Sequence, residues 1–446
     1  MSTELFKDFE SHSKKQWKQL LQHDLKGAPY QDLISPTLEG IDIQPIYTKE
    51  DRSQSVQIAS NVKDFGIAQR FFLSKGKGLV DQMKAALGAG SDTIILEASH
   101  DLETLLKFIE EQDLSEQLVI EVSKLNPKQI QTLCFSYKGQ LNYDPIGHLE
   151  RSGYLPKGFD WKDFKSLMRL YRDQIQLDLN TFIYTEAGAS IAQQLSYSIS
   201  KAKEYLERLD YMEGIVFHNH ISLGTNFFFE IAKIVSFKEL WKNFNDTLKT
   251  NYSCHISGRS SLRYFGIYDY NNNIIRSATA NLAAALGGVD FIEQIPYDLH
   301  FKFKNEFSES VSRSQLLILK HETSILGKDW VAGNYYIDQL THQFLNQSIE
   351  EIQNIEKQGG LLKELFQNNI QESIFVHHAK EFEKFREDQI AIIGVKPFRD
   401  PSQKLKGEIQ RNEHFQVTNK SITPILPVRL AYALEQELLK SEDYEA

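Results

Sequence analysis

The sequence predicts an α/β protein folded as a (β/α)8 barrel of the TIM type, and three observations lead to this prediction. From Phe65 onward, short runs rich in β-branched residues alternate with amphipathic helical stretches, which is typical of parallel strands joined by helical crossovers. About eight such units follow one another, which favours a closed barrel over an open sheet. No G-x-G-x-x-G pattern follows the first strand, which disfavours a dinucleotide-binding sheet.

The predicted elements alternate along the whole central region, and several of the strands are short and half polar. In chain order the predicted strands are Gly66–Phe72, Thr93–Glu97, Leu118–Val122, Gln140–Tyr143, Leu177–Phe182, Gly214–Ile221, Ser253–Ser257 and Phe291–Ile295. The predicted helices are Leu102–Glu111, Pro127–Phe135, Trp161–Tyr171, Ile191–Leu209, Asn226–Leu248 and Asn273–Leu286. Pro127 fits a helix start, because the first turn does not need its missing N–H.

Segments at both ends lie outside the predicted barrel. The order is an N-terminal arm (1–50), the barrel (51–400) and a polar C-terminal tail (401–446). The arm contains an amphipathic helix around Trp17, Leu20 and Leu21, followed by an extended stretch. It has too little apolar surface to fold alone, so we expect it to lie against the barrel or to wrap a partner. The tail should end in a short helix, Pro427–Lys440.

Composition excludes several classes of protein. The formal charge of the 446-residue chain is -10, with acidic and basic residues mixed along it; a nucleic-acid-binding protein would need a concentrated basic face. The N-terminus is charged where a secretory signal would be apolar, and no apolar run approaches the roughly 20 residues that span a bilayer. Cys134 and Cys254 are too few for a disulfide framework. We therefore expect a cytoplasmic protein that binds neither nucleic acid nor membrane.

Four histidine-containing motifs suggest chemistry. His218-Asn219-His220 places two imidazoles on one face of a strand, but no nearby carboxylate or cysteine completes a ligand set, so we expect core or partner contacts and no metal site. Cys254-His255 points its two side chains to opposite faces, which disfavours an activated thiol. Asp298-Leu299-His300 resembles the start of the D-x-H-x-x-G signature of cobalamin-binding domains, but Phe303 replaces the glycine, so we attribute the match to chance. His377-His378 should face solvent.

Two predicted strand-to-helix loops are candidates for the barrel mouth, where such folds keep their chemistry. Glu186-Ala187-Gly188-Ala189 would place a carboxylate there, although the same residues also suit an ordinary helix start. Ser257-Gly258-Arg259 could hold an anion, because glycine permits close backbone approach and arginine grips carboxylate or phosphate. Turn chemistry explains that segment equally well, and the sequence leaves both alternatives open.

Taken in order, these motifs and others resemble the small (beta) subunit of methylmalonyl-CoA mutase over nearly all of the first 400 residues. The matching segments are Trp17, Leu25-Lys26-Gly27, Glu39-Gly40-Ile41, 45–51, Asp144-Pro145-Ile146-Gly147, Glu186-Ala187-Gly188-Ala189, 224–233, Ser257-Gly258, Tyr270-Asn271-Asn272, Gly287-Gly288, Glu322-Thr323-Ser324-Ile325, Gly333-Asn334-Tyr335-Tyr336 and Gly359-Gly360. The resemblance implies an isomerase of propionate metabolism, which uses adenosylcobalamin to convert methylmalonyl-CoA to succinyl-CoA.

The departures from the catalytic chain of that family imply a silent subunit. Phe182 and Ile183 stand where the catalytic chain has a Tyr-His pair. Val216 aligns with a catalytic-chain arginine, and His255 aligns with a glutamine. We expect no cobalamin-binding domain and no cofactor on this chain; a homologous large subunit would carry the cofactor and form a heterodimer with it. The alternative is a catalytic, acyl-CoA-binding barrel whose cobalamin domain is a separate polypeptide.

Overall fold

A closed barrel of eight parallel strands forms the centre of the molecule, which confirms the predicted fold class. The computed structural model describes residues 10, 12–51, 62–73, 78–98, 102–110, 117–411 and 421–441. The barrel strands are β1 (Gly66–Phe72), β2 (Thr93–Glu97), β3 (Leu118–Glu121), β4 (Gln140–Tyr143), β5 (Ile175–Asp178), β6 (Val216–Leu223), β7 (Ser253–Ser260) and β8 (Phe291–Glu293). Each strand pairs with the next, and β8 closes the ring on β1.

Helices surround the barrel. They are α1 (Lys14–Asp24), α2 (Leu79–Gly88), α3 (Leu102–Glu110), α4 (Pro127–Ser136), α5 (Pro145–Ser152), α6 (Trp161–Tyr171), α7 (Phe182–Ala187), α8 (Ile191–Arg208), α9 (Phe227–Leu248), α10 (Asn272–Gly287), α11 (Glu306–His321), α12 (Tyr335–Gln358), α13 (Leu361–Phe366), α14 (Asn369–Arg386) and α15 (Tyr432–Ser441). The six helices predicted from sequence correspond to α3, α4, α6, α8, α9 and α10. None of the described helices is long and apolar enough to cross a membrane.

The two faces of the barrel wall differ sharply in polarity. Outward-facing residues such as Ile67, Leu96 and Ile120 are apolar and pack in the main core beneath the helices. Strand register places the opposite set on the inner face, and most of its members near the carboxyl ends are polar: Arg70, Glu97, Glu121, Asn142, Asp178, His218, His220, Ser257, Arg259 and Glu293. Barrel interiors of this fold are usually filled by branched apolar side chains. A charged interior is therefore a feature that needs a chemical explanation.

The predicted strand Leu177–Phe182 is wrong at both ends. Strand β5 begins earlier, at Ile175, and stops at Asp178. Asn180 then adopts a left-handed conformation, with φ of 49°, and its side-chain amide donates to Asp144 Oδ2 at 2.7 Å. Helix α7 starts immediately afterwards, at Phe182. A short apolar run fits a buried helix as well as a strand, which explains the error.

The N-terminal arm lies against the helical shell of its own barrel. Ile191 N–H, at the start of α8, donates to Glu39 Oε2 at 2.8 Å, and Gln347 Nε2 of α12 donates to the Glu39 carbonyl at 3.0 Å. Ile41 is fully buried. Helix α1 is different, because none of its residues is buried. The extended part of the arm therefore belongs to the barrel surface, while α1 presents most of its surface to solvent.

The C-terminal segment 421–441 folds back over the barrel mouth. Ile425 N–H donates to the Glu150 carbonyl at 2.7 Å, and Val428 N–H donates to the Glu186 carbonyl at 2.9 Å. Leu430 and Glu435 are completely buried. This part of the expected polar tail is thus integrated into the domain.

Candidate functional site

A cavity of about 520 Å³ lies at the carboxyl-terminal mouth of the barrel. Its walls combine apolar, cationic and acidic groups, which come from the strand ends, from α7 and from the C-terminal segment. Apolar lining residues include Phe182, Ile183, Leu262, Ile295 and Leu426; the cations are Arg70, Arg151, Arg259, Lys304, Arg411 and Arg429; the acids are Glu97, Glu186, Glu293 and Glu309.

Phe182 and Ile183 both line this cavity. The Arg259 guanidinium lies 4.4 Å from the centroid of the Phe182 ring, and the His220 ring meets Phe182 edge-on with centroids 6.4 Å apart. Among the described residues that line the cavity, His300 is the one imidazole and none is a tyrosine. Burial lowers the pKa of His300 well below its usual value. The described lining of this cavity thus contains no adjacent Tyr-His pair.

Glu186 lies at the mouth, but its carboxylate is occupied by structural hydrogen bonds. Ser222 Oγ donates to Glu186 Oε1 at 2.8 Å, and Arg263 N–H donates to Oε2 at 3.0 Å. Leu262 N–H donates to Oε1 at 3.3 Å. Glu186 therefore fixes the turn that follows β7. This arrangement favours the structural alternative for its role.

The Arg263 side chain binds helix α14 and the C-terminal segment beside the mouth. Its Nε donates to Glu381 Oε2 of α14 at 3.0 Å, and its Nη1 donates to the Val428 carbonyl at 2.6 Å. His378 Nδ1 lies 2.8 Å from Arg263 Nη2, and His377 Nδ1 lies 2.8 Å from the Gly188 carbonyl. The prediction that these two histidines face solvent is wrong, because both are half-buried and their Nδ1 atoms contact Arg263 and Gly188.

A charged network crosses the barrel below the cavity. Arg70 Nη1 and Nη2 donate to the two carboxylate oxygens of Glu121 at 2.5 and 2.9 Å. Its Nε and Nη2 donate to Glu293 at 2.7 and 3.0 Å. Burial lowers the pKa of Arg70, but the two carboxylates outweigh it and hold this pKa well above its usual value. Burial raises the pKa of Glu293, but Arg70 and its cationic neighbours hold it below the usual range. One side chain thus links β1, β3 and β8 across the axis.

Asp178, His218 and His220 form a buried cluster deeper in the barrel. His218 Nδ1 lies 3.3 Å from Asp178 Oδ1, His220 Nε2 lies 3.9 Å from Oδ2, and the two imidazole centroids are 4.0 Å apart. Burial raises the pKa of Asp178 to about 6. The sequence argument that no carboxylate accompanies the histidine pair is wrong, because the neighbouring strand supplies Asp178.

Four residues that the sequence singled out do not line the mouth cavity. Val216 is the first residue of β6, at the end of the strand remote from the mouth. His255 is exposed and pairs in register with His218. Ser257 Oγ lies 2.7 Å from His220 Nδ1, inside the barrel. Gly258 faces outward, and a Cβ on it would lie 2.9 Å from that of Ala284 on α10. The small size of Gly258 thus permits strand–helix packing.

Sequence reasoning missed the residues that dominate the site: Arg70, Glu121, Asp178, Arg263 and Glu293. Their partners lie on other strands and helices, so no local motif joins them. A usable signal existed, because the inward positions near the ends of several predicted strands are polar at every second residue.

Comparison with known proteins agrees with the family that the sequence resembles. Residues 174–436 match the family model described as methylmalonyl-CoA mutase. The small subunit of methylmalonyl-CoA mutase from Porphyromonas gingivalis is 24% identical over 98% of this chain and 78% of its own length. The Streptomyces virginiae small subunit is 25% identical over 58% of this chain and 44% of its own. The Rhizobium meliloti mutase is 22% identical over 78% of this chain and 59% of its own length. The chain belongs to the methylmalonyl-CoA mutase family.

Proposed function

We propose that this chain is the non-catalytic small subunit of a heteromeric, adenosylcobalamin-dependent methylmalonyl-CoA mutase, and that it stabilises a homologous catalytic large subunit. The observation that carries the proposal is the pair Phe182 and Ile183 on the cavity wall. Neither side chain can hydrogen-bond a thioester carbonyl or deliver a proton to it. The relatives named as small subunits support the heteromeric role.

The mouth does not fit adenosylcobalamin. Residues 425–430 cross it, and their backbone is bonded to the Glu186 and Arg263 carbonyls. The remaining cavity, about 520 Å³, is of the size that holds a drug-sized ligand, whereas a corrin with its nucleotide and adenosyl groups is far larger. His300, although buried at the cavity, packs against Phe265 and Phe301. We therefore assign the cofactor to the partner.

Helix α1 is the surface that we assign to the partner. Leu20 is 62% exposed, and Trp17 and Leu21 beside it are half-buried. Isolated helices of this length are marginal in water and depend on packing. The contacts of Glu39 and Ile41 hold the segment that follows α1 on the barrel. Helix α1 is therefore attached to the barrel next to a fixed segment.

Co-expression with the large subunit tests the proposal. We expect the two chains to elute together from a size-exclusion column, and we expect mutase activity to need the large subunit. Leu20→Asp should weaken the complex. Leu170→Asp is the control and should leave the complex intact, because Leu170 is similarly exposed (66%) but lies on α6. A chain that never associates with the large subunit would refute the stabilising role.

The alternative function is an acyl-CoA-binding catalytic barrel with its cobalamin domain on a separate chain. The arginines around the cavity favour it, since guanidinium groups suit phosphate and carboxylate ligands. Turnover of methylmalonyl-CoA by this chain with a free cobalamin-domain protein would establish that alternative and overturn the silent-subunit proposal. CoA binding without turnover would leave the chain a non-catalytic subunit.

A further inference from the structure

The buried cluster at the centre of the barrel has the composition of a metal site. Asp178 from β5 and His218 and His220 from β6 each offer one ligand atom, and these atoms lie within 4.8 Å of one another. All three residues are buried. Imidazole suits Zn²⁺, Fe²⁺ and related ions, and two imidazoles with one carboxylate occur in known zinc and iron sites.

The hydrogen bonds around the two imidazoles leave one nitrogen of each free. Ser257 Oγ lies 2.7 Å from His220 Nδ1, and the Asn142 side-chain amide nitrogen lies 2.9 Å from His218 Nδ1. Exchanging the two ends of this amide makes Asn142 Oδ1 the acceptor of an Nδ1–H proton; such exchanges are assigned from the network rather than observed. Both Nε2 atoms lack a hydrogen-bond partner. Metal-binding histidines characteristically donate their second N–H to a neighbour in this way.

Asp178 stands apart from the cationic side chains of the barrel interior. Arg70 contacts Glu97, Glu121 and Glu293, and Arg259 lies 3.9 Å from Glu293. In the described part of the chain, no lysine or arginine forms an ion pair with Asp178; its ion-pair contacts are the two histidines. Neither oxygen of Asp178 has a hydrogen-bond partner. Buried carboxylates are normally paired or bind metal.

We propose that Asp178, His218 and His220 bind a divalent transition-metal ion, with Zn²⁺ as the preferred ion, inside the barrel. Glu121 Oε1, 3.6 Å from His220 Nε2, is a further oxygen donor, although Arg70 holds it. Water is the natural fourth ligand. Arg70 and Phe182 line the mouth cavity, and Phe182 packs on His220, so we expect a closed site whose role is to join β5 to β6. This inference does not depend on the proposed function.

Metal analysis of the untagged chain tests the inference. After dialysis against Zn²⁺ and gel filtration, we expect Zn²⁺ in equimolar amount by mass spectrometry, and a higher Tm than for the chelator-treated protein. Co²⁺ should give visible absorption bands that excess Zn²⁺ removes. Asp178→Asn and His218→Gln should abolish both signals, whereas His255→Gln, the exposed neighbour in register with His218, should retain them.

The variants keep the test decisive even if one of them folds poorly. Asp178→Asn removes a buried carboxylate that forms no ion pair with a described lysine or arginine, so its metal-free Tm should match or exceed that of the wild type. Failure of the folded wild-type chain to retain Zn²⁺ or Co²⁺ would overturn the inference. Equal metal content in folded Asp178→Asn and wild type would overturn it too, because the metal would then sit elsewhere.

Discussion

Replacing Arg70 with methionine tests whether this side chain neutralises the barrel axis. The substitution keeps a long apolar stem and removes the charge, so the carboxylates of Glu121 and Glu293 lose the guanidinium that they share. Removing one partner of a buried ion pair typically costs about 3–5 kcal/mol. For a 446-residue chain, an unfolding entropy of about 2.1 cal/mol/K per residue lowers Tm by about 3–5 °C for that loss.

The loss should depend on pH with a defined sign. In the wild type, Arg70 holds the pKa of Glu293 below its usual value. Its contribution to stability is therefore present above the unfolded pKa of about 4.3 and disappears as pH falls through the depressed folded value. Without Arg70, burial raises the pKa of Glu293 against the remaining attraction of Arg259 and Lys304, so we expect the variant to gain stability as pH falls. The stability gap between the two proteins should be widest near pH 8 and should narrow toward pH 4.

Thermal unfolding followed by circular dichroism at several pH values measures this gap. The triple variant Arg70→Met, Glu121→Gln, Glu293→Gln is the matched control, because it removes the stranded charges together with the cation. We expect it to recover most of the lost Tm. An Arg70→Met protein as stable as the wild type at pH 8, or a gap that does not change with pH, would refute the reasoning.

Two further substitutions probe the loops that position the mouth. Lys201→Met leaves the buried Glu150 carboxylate without the Nζ donor that lies 2.6 Å from it. We expect chemical denaturation to show a free energy of unfolding lower by about 3–5 kcal/mol. Adding Glu150→Gln should recover most of this loss, and no recovery would contradict the ion-pair account. Gly188→Ala places a Cβ 2.6 Å from Arg263 Nη2 at a φ of 92°, so limited proteolysis should cut the C-terminal segment faster. Gly27→Ala, with φ of 100° and open space, is its control, and equal cleavage of the two variants would show that the Arg263 contact is unimportant.

The sequence predicted the barrel because its fold is determined by patterns that repeat locally. Helices Trp161–Tyr171 and Ile191–Arg208 have apolar faces at helical spacing and, in the second, a capping box at Ser190. Such signals act within a few residues and can be recognised without knowing the fold. The strand at β5 was mispredicted because its alternating apolar residues continue through Leu179, whereas the chain turns at Asn180, whose side-chain amide donates to Asp144, 36 positions away.

The site was harder to predict because its interactions join residues far apart in the chain. Arg70 and Glu293 are 223 positions apart, and Arg263 and Glu381 are 118 apart. Loop motifs located Glu186 and Arg259 at the mouth, but they gave no information on which oxygen would accept which N–H. Alternation alone placed His218 and His220 on one face; pairing β5 with β6 was needed to bring Asp178 beside them.

Phe182 and Ile183 line the same cavity that the C-terminal segment closes. Glu186 accepts a hydrogen bond from the backbone N–H of Arg263. The Arg263 side chain in turn binds Glu381 of α14 and the Val428 carbonyl. Introducing a Tyr-His pair by Phe182→Tyr with Ile183→His would supply a proton donor but would leave residues 425–430 across the mouth. We therefore expect the double variant to remain without mutase activity, with or without a cobalamin-domain protein. Activity in that variant would show that the substitutions alone silence the chain and that the C-terminal segment moves aside.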